Sequence, residues 1–115
     1  MEEETEKKIN KLQMIEQSMQ AFLMQKQQFQ GQLIEIDSAL GELKNSKEAY
    51  KIVGEVMINS NPQDLIKELS EKKERVELRV KTLEKQEKEL REKASAMQSE
   101  VMKKLQNEKG DSKHN

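Results

Sequence analysis

Tyr50-Lys51-Ile52-Val53-Gly54-Glu55-Val56-Met57-Ile58-Asn59 interrupts a chain otherwise rich in Glu, Lys, Gln and Leu. Its β-branched and aromatic residues favour strand. Gly54-Glu55 is a two-residue turn candidate, and Gly at the first central position suits a type II′ hairpin. That turn pairs Val53 with Val56, Ile52 with Met57, Lys51 with Ile58 and Tyr50 with Asn59. Val53, Val56 and Ile58 then share one face, and Tyr50, Ile52 and Met57 share the other. Both faces carry apolar side chains, so both require cover. A lone two-stranded ribbon is marginal in water, and its edges are open templates for pairing. The altered composition runs from Asn45 to Asn61, more than a helix reversal needs. Tyr50, Ile52, Val53, Gly54, Val56, Met57 and Ile58 are therefore expected to be an oligomerisation site that completes a sheet or barrel with hairpins of other subunits.

The flanks read as helices. Before the insert, Leu12, Ile15, Met19, Phe22, Lys26, Phe29, Leu33, Ile36, Leu40 and Leu43 follow an unbroken alternation of three- and four-residue steps. After it, Ile66, Leu69, Lys73, Val76, Val80, Leu83, Glu87, Leu90, Ala94, Met97, Val101 and Lys104 do the same. Each set is a heptad seam. Two matched seams around a short insert predict a mainly α fold. It is a long antiparallel coiled-coil hairpin with a β-hairpin at the bend that assembles into an inter-subunit β-barrel. The expected parts are a coiled-coil helix over 3–44, the hairpin over 49–60, a second helix over 62–109 and a flexible polar tail over 110–115, all one domain. Asn61 can cap the second helix, with Pro62 at its first position and Asp64 at its third. Glu2, Glu3, Glu4 and Glu6 suit the positive end of the first. On the second helix Glu68–Lys72, Glu71–Arg75, Glu77–Lys81, Glu84–Lys88, Glu87–Arg91 and Glu89–Lys93 are i,i+4 pairs in the favourable order, read as a solvated face.

In an antiparallel pair, Leu43 opposite Ile66 gives the layers Leu40–Leu69, Leu33–Val76, Phe29–Val80, Met19–Leu90, Ile15–Ala94 and Leu12–Met97. Lys26 then faces Leu83, and Glu87 faces Phe22 one layer away. Lys26 and Glu87 are expected to pair within the seam and fix the register, because a heptad slip strands one of them.

Composition excludes more than it admits. Of 115 residues, 37% are charged and 33% hydrophobic, with three aromatics, no Trp, no Cys and one His. An isolated compact domain cannot fill its core from that stock. Disulfides and Cys-based zinc sites are impossible. The 21 basic and 22 acidic residues nearly cancel, giving a formal net charge of −1, so nothing calls for nucleic acid or an anionic membrane. A helical-arm RNA binder would need a basic stripe, whereas Lys and Glu alternate along the second helix. No apolar run approaches the roughly 20 residues that span a bilayer. The acidic N-terminus does not read as a signal peptide, and a cytoplasmic location is expected. There is no Gly-rich phosphate loop, no Cys nucleophile and no metal or cofactor set, so no enzymatic activity is expected.

Tyr50-Lys51-Ile52-Val53-Gly54, Val56-Met57-Ile58, Asp64-Leu65-Ile66, Leu83-Glu84-Lys85-Gln86-Glu87 and Met24-Gln25-Lys26-Gln27-Gln28 resemble the β-subunit family of archaeal prefoldin. The resemblance covers nearly the whole chain. Its specific part is the order helix, hairpin, helix with Tyr-Lys-x-x-Gly, and a single hairpin matches the β type. It implies a heterohexamer of two α-type and four β-type subunits, whose hairpins form β-barrels from which coiled coils project. It also implies an ATP-independent chaperone, a holdase that captures unfolded proteins at the coiled-coil tips and passes them to a group II chaperonin.

The tips are informative in their own right. A rise of about 1.5 Å per residue places the start of the first helix about 60 Å from the insert. Met14, Met19, Met24, Met97 and Met102 concentrate in the distal halves, and Met14, Leu23, Met24 and Met102 lie outside the seam. Ile9 and Leu105 are off register, where the heptad fails. Flexible exposed methionines adapt to many apolar shapes. Ile9, Leu12, Met14, Ile15, Met97, Val101, Met102 and Leu105 are therefore the expected client-binding surface. The competing reading is a coiled-coil scaffold or tether docked through its hairpin on another protein. A scaffold would present specific charged or aromatic anchors at its ends, and this sequence presents loose apolar ones.

Overall fold

A computed structural model describes the backbone of residues 3–114 and the side chains of residues 3–108. The elements are α1 (Glu3–Leu43), β1 (Ala49–Val53), β2 (Val56–Ser60) and α2 (Pro62–His114). Two long helices thus enclose one two-stranded antiparallel hairpin. Glu2 and Asn115, which figure in the expectations above, lie outside the described residues.

The helix boundaries have local causes. The Gln63 N–H donates to Asn61 Oδ1 at 2.9 Å and the Leu65 N–H to the Asn61 carbonyl at 3.1 Å, so Asn61 is the N-cap of α2 and Pro62 its first residue. At the end of α1 the Ser46 hydroxyl donates to the Glu42 carbonyl at 2.8 Å, filling one of the acceptors a helix end leaves open. The helical backbone of α2 runs to His114, beyond the expected end at residue 109. Gly110 costs about 1 kcal/mol relative to Ala in a helix, but no Pro follows to stop it.

The chain divides into two units: Gln25–Thr82, and Met1–Met24 with Leu83–Asn115. In the first, β1 and β2 pair in the register predicted by the turn, from Val53 opposite Val56 to Tyr50 opposite Asn59, with one further pair, Ala49–Ser60. Gly54 has φ +63° and Glu55 does not have positive φ. That combination excludes type I′, which needs positive φ at both central residues, and fits type II′. Buried Ile36, Ala49, Leu65 and Val76 form the core of this unit. Lys73 Nζ reaches Asp37 Oδ1 at 2.8 Å, and the Arg79 guanidinium sits 5.8 Å from the Phe29 ring centroid. The Arg79–Phe29 contact lies beside the predicted Phe29–Val80 layer and the Asp37–Lys73 contact two layers further along, next to Ile36, with the two helices antiparallel.

In the second unit, Glu4 meets Lys104 at 3.2 Å and Lys8 meets Glu100 at 2.7 Å. A step of four up α1 is a step of four down α2, which is again antiparallel. Leu83, Val101 and Glu87 are buried. The seam also continues where it was expected to fail: Thr5 is fully buried and Lys8 half-buried, one heptad before Leu12 and Ile15. Polar residues hide the repeat there, and the Thr5 hydroxyl has no hydrogen-bond partner.

Candidate functional site

Two surfaces stand out, one in each unit. The first is the ribbon. Tyr50, Ile52, Val53, Val56, Met57 and Ile58 are all exposed, on both faces as the alternation requires. Six apolar side chains within nine residues, open on both sides, form the kind of patch that marks an interaction surface. The ribbon is fixed at its root. Ala49 is buried, and Lys51 Nζ donates to Glu68 Oε1 of α2 at 2.6 Å. Glu68 was expected to pair with Lys72 along the helix; here its partner is Lys51 of the strand instead. A cleft of ≈ 470 Å³ at this root is lined by Leu43, Tyr50, Leu65 and Leu69 among others.

The second surface lies on the paired ends of the helices. The expected client-binding residues divide there by exposure. Met14 and Met102 are open, at 67% and 56%. Ile9, Leu12, Ile15, Met97 and Leu105 are half-buried. Val101 is 7% exposed and closes the seam. An open cavity of ≈ 550 Å³ brings together Ile9, Leu12, Ile15 and Met19 of α1 with Arg91, Ala94, Ser95 and Gln98 of α2. The exposed Ile34 (72%) and Leu78 (65%) of the other unit escaped the sequence reading. They lie off the seam in isolation, with no methionine cluster to flag them.

Of the expected register pair, Glu87 is buried and Lys26 half-buried, and both are engaged in interactions. Elsewhere the electrostatics are those of a solvated surface. The hydrogen bond and charge of Asp37 push the Lys73 ammonium above its ordinary range. The hydrogen bond and charge of Lys8 hold the Glu100 carboxyl below its own. A carboxylate depressed on folding stabilises the fold above its unfolded pKa of about 4.3. That contribution is lost as pH falls through the folded value. Glu100→Gln should therefore lower the Tm slightly at neutral pH, and the gap to wild type should close as pH drops below the folded value. Identical melting at neutral pH would show that the pair adds nothing, the common fate of exposed ion pairs.

Among the described residues no cluster of His, Cys, Asp and Glu could hold a metal ion, and no helix is long and apolar enough to cross a membrane.

A family model described as prefoldin subunit matches residues 6–108. Prefoldin subunit beta of Archaeoglobus fulgidus is 39% identical over 102 residues, covering 86% of this chain and 84% of that one. Prefoldin subunit beta of Pyrobaculum islandicum is 36% identical over 105 residues, covering 89% and 84%. The crystal structure of the prefoldin beta subunit from Thermococcus strain KS-1 superimposes with a TM-score of 0.84 at 30% identity, over 90% of this chain and 94% of that one. With its helices and hairpin matching a solved β subunit, and with the family's pattern running through nearly its whole length, the chain belongs to the prefoldin subunit family.

Proposed function

We propose that this chain is a β-type subunit of a cytoplasmic, ATP-independent chaperone. Its ribbon joins those of other copies and of an α-type partner, two α with four β, in shared β-barrels. The ends of its helices hold unfolded proteins and release them to a group II chaperonin. Family membership supports the chaperone class and a multi-subunit assembly. One observation carries the rest: two apolar surfaces are left open, of different character. The ribbon is rich in β-branched residues and edge-open, suited to a fixed partner. The helix ends carry methionines and half-buried aliphatics, suited to variable partners.

Lys26 and Glu87 belong to the same proposal as register determinants. A buried carboxylate is costly unless matched, so a slip that displaces it is disfavoured. Lys26→Leu with Glu87→Leu should strengthen the seam but admit a second register, read as doubled amide resonances. A single retained register would remove the idea.

The test of the whole reading is native mass spectrometry of the tagged protein recovered from its own cell extract, followed by dilution of a guanidinium-unfolded test protein into the recovered assembly. The expected result is a hexamer with a second, related subunit that suppresses aggregation without ATP. A monomer or simple homodimer would overturn it in favour of a tether docked through the ribbon.

A further inference from the structure

The cleft at the root of the ribbon carries charge that the chain itself leaves unanswered. Its floor is apolar, with Leu43, Leu65 and Leu69 beside Tyr50. On its rim Lys51 and Glu68 neutralise each other. Lys72 and Arg75 also line it, and both are exposed. The helix offers each an acid four residues back, Glu68 and Glu71. Among the described residues, however, neither Lys72 nor Arg75 makes an ion pair. Glu42 of α1 is the other acid of the lining. Lys51, Lys72 and Arg75 against Glu42 and Glu68 leave the rim with a positive excess. The far end of the ribbon has the opposite character. Glu55 is exposed and makes no ion pair among the described residues. Exposed Val53 and Val56, a cross-strand pair, flank the turn on one face. The tip is one carboxylate beside two apolar side chains, and the root is two unanswered cations over an apolar floor.

We propose that the root cleft seats the ribbon tip of a second copy of this chain, with Glu55 of each copy on Lys72 and Arg75 of the other and the flanking valines over Leu65 and Leu69. This contact rests on the reading of the ribbon as the joint between subunits and adds its second half, tip in root beside edge on edge. A two-fold axis supplies the geometry. The outer edge of β1 is unpaired in the two-stranded sheet. When β1 of two copies pairs antiparallel along that edge, in an isologous contact, each tip falls at the other's root. The cleft lies on this side, because Tyr50 and Lys51 of β1 line it. Strand length fits as well: the five residues Ala49–Val53 extend about 17 Å from root to tip. Full pairing of that strand with its copy centres the axis on Lys51. Ile52 then lies opposite the second copy's Tyr50, a β-branched and aromatic pair that stabilises a ladder. The two Lys51 side chains face each other across the axis, a like-charge pair that would oppose it. Each, however, is already bonded to Glu68 of its own α2 at 2.6 Å. The tie that fixes the ribbon also neutralises the charge that would forbid the pairing. A small anion would answer the cations and leave the floor bare, whereas an apolar side chain alone would do the reverse. The tip answers both.

The experiment uses the full chain in its native assembly. The sequence has no Cys, so single cysteines report single contacts. Glu55→Cys and Arg75→Cys are placed on two copies with tags of different size, produced together. Oxidation should give a disulfide-linked species that carries both tags. Lys67→Cys, exposed on α2 and outside the cleft lining, replaces Arg75→Cys as control and should give none. A charge exchange supplies the second readout. Glu55→Lys should raise the concentration at which the assembly dissociates about ten-fold. Adding Lys72→Glu and Arg75→Glu to the same chain should restore it, which a merely misfolded tip would not allow. Equal linkage at 67 and 75, no linkage within an intact assembly, linkage of the tip to a different subunit instead, or an exchange that restores nothing would overturn the contact. If such a result came with loss of assembly on Ile52→Glu and Met57→Glu, the ribbon would remain the joint without it. Ribbon variants that still assemble would end both readings.

Discussion

A chain carrying Ile52→Glu and Met57→Glu will run as isolated subunits in size-exclusion chromatography, where the wild type runs as an assembly. The two residues are cross-strand partners on one face of the ribbon and are among its most exposed apolar side chains. Covered by a neighbouring subunit, each contributes about 1.5–3 kcal/mol. As glutamates they would bring two like charges opposite each other into a dry interface, where an unpaired carboxylate costs several kcal/mol more. The penalty recurs in every copy. The helices should be spared, because neither residue belongs to the seam, so far-ultraviolet circular dichroism should keep its helical minima. A variant that still assembles would show that the ribbon is not the joint. Gly54 gives the ribbon its shape through a φ that L-residues rarely adopt; the faces beside it give the joint its energy.

Much of this was legible in the residues. Every seam position inferred from apolar spacing, including polar Lys26, Lys73, Glu87 and Lys104, is buried or half-buried, because a sustained 3.5-residue repeat leaves one consistent solution. The hairpin register followed from a single glycine, because a two-residue loop fixes every pair behind it. Legibility failed where polar residues take seam positions, as at Thr5 and Lys8. A repeat scored by hydrophobicity stops there, although geometry carries the helices on. The cavity on the helix ends was invisible for another reason. Ile9, Leu12 and Ile15 were picked out singly, but their meeting with Arg91, Ala94 and Gln98 in one cavity depends on how two helices face each other. The spacing of either helix alone does not contain that. The outlook for Met14 and Val101 changed likewise: one is open but outside the cavity lining, the other is enclosed.

Deleting residues 1–14 and 98–115 should abolish the capture of unfolded protein and leave assembly intact. The cut removes Ile9, Leu12, Met14, Val101, Met102 and Leu105 together, along with the ion pairs Glu4–Lys104 and Lys8–Glu100. It leaves the unit Gln25–Thr82 whole, with its core of Ile36, Ala49, Leu65 and Val76, the ribbon and the Lys51–Glu68 tie. The removed segments contribute little to stability for their length. Their seam includes Thr5 with an unsatisfied buried hydroxyl, a defect of about 1–3 kcal/mol, and Lys8 and Lys104 in place of aliphatics. A sequence tuned only for a stable coiled coil would put leucine or isoleucine there. Weak closure beside exposed methionine suits ends that must engage apolar chains of many shapes. The measurement is light scattering from a guanidinium-unfolded protein diluted into the truncated assembly, beside native mass spectrometry of the same sample. Aggregation as fast as in buffer, with the subunit count unchanged, is the expected pair of results. If the truncated chain fails to assemble, the helix ends are structural. If it assembles and still suppresses aggregation, binding lies elsewhere, and exposed Ile34 and Leu78 become the residues to change next.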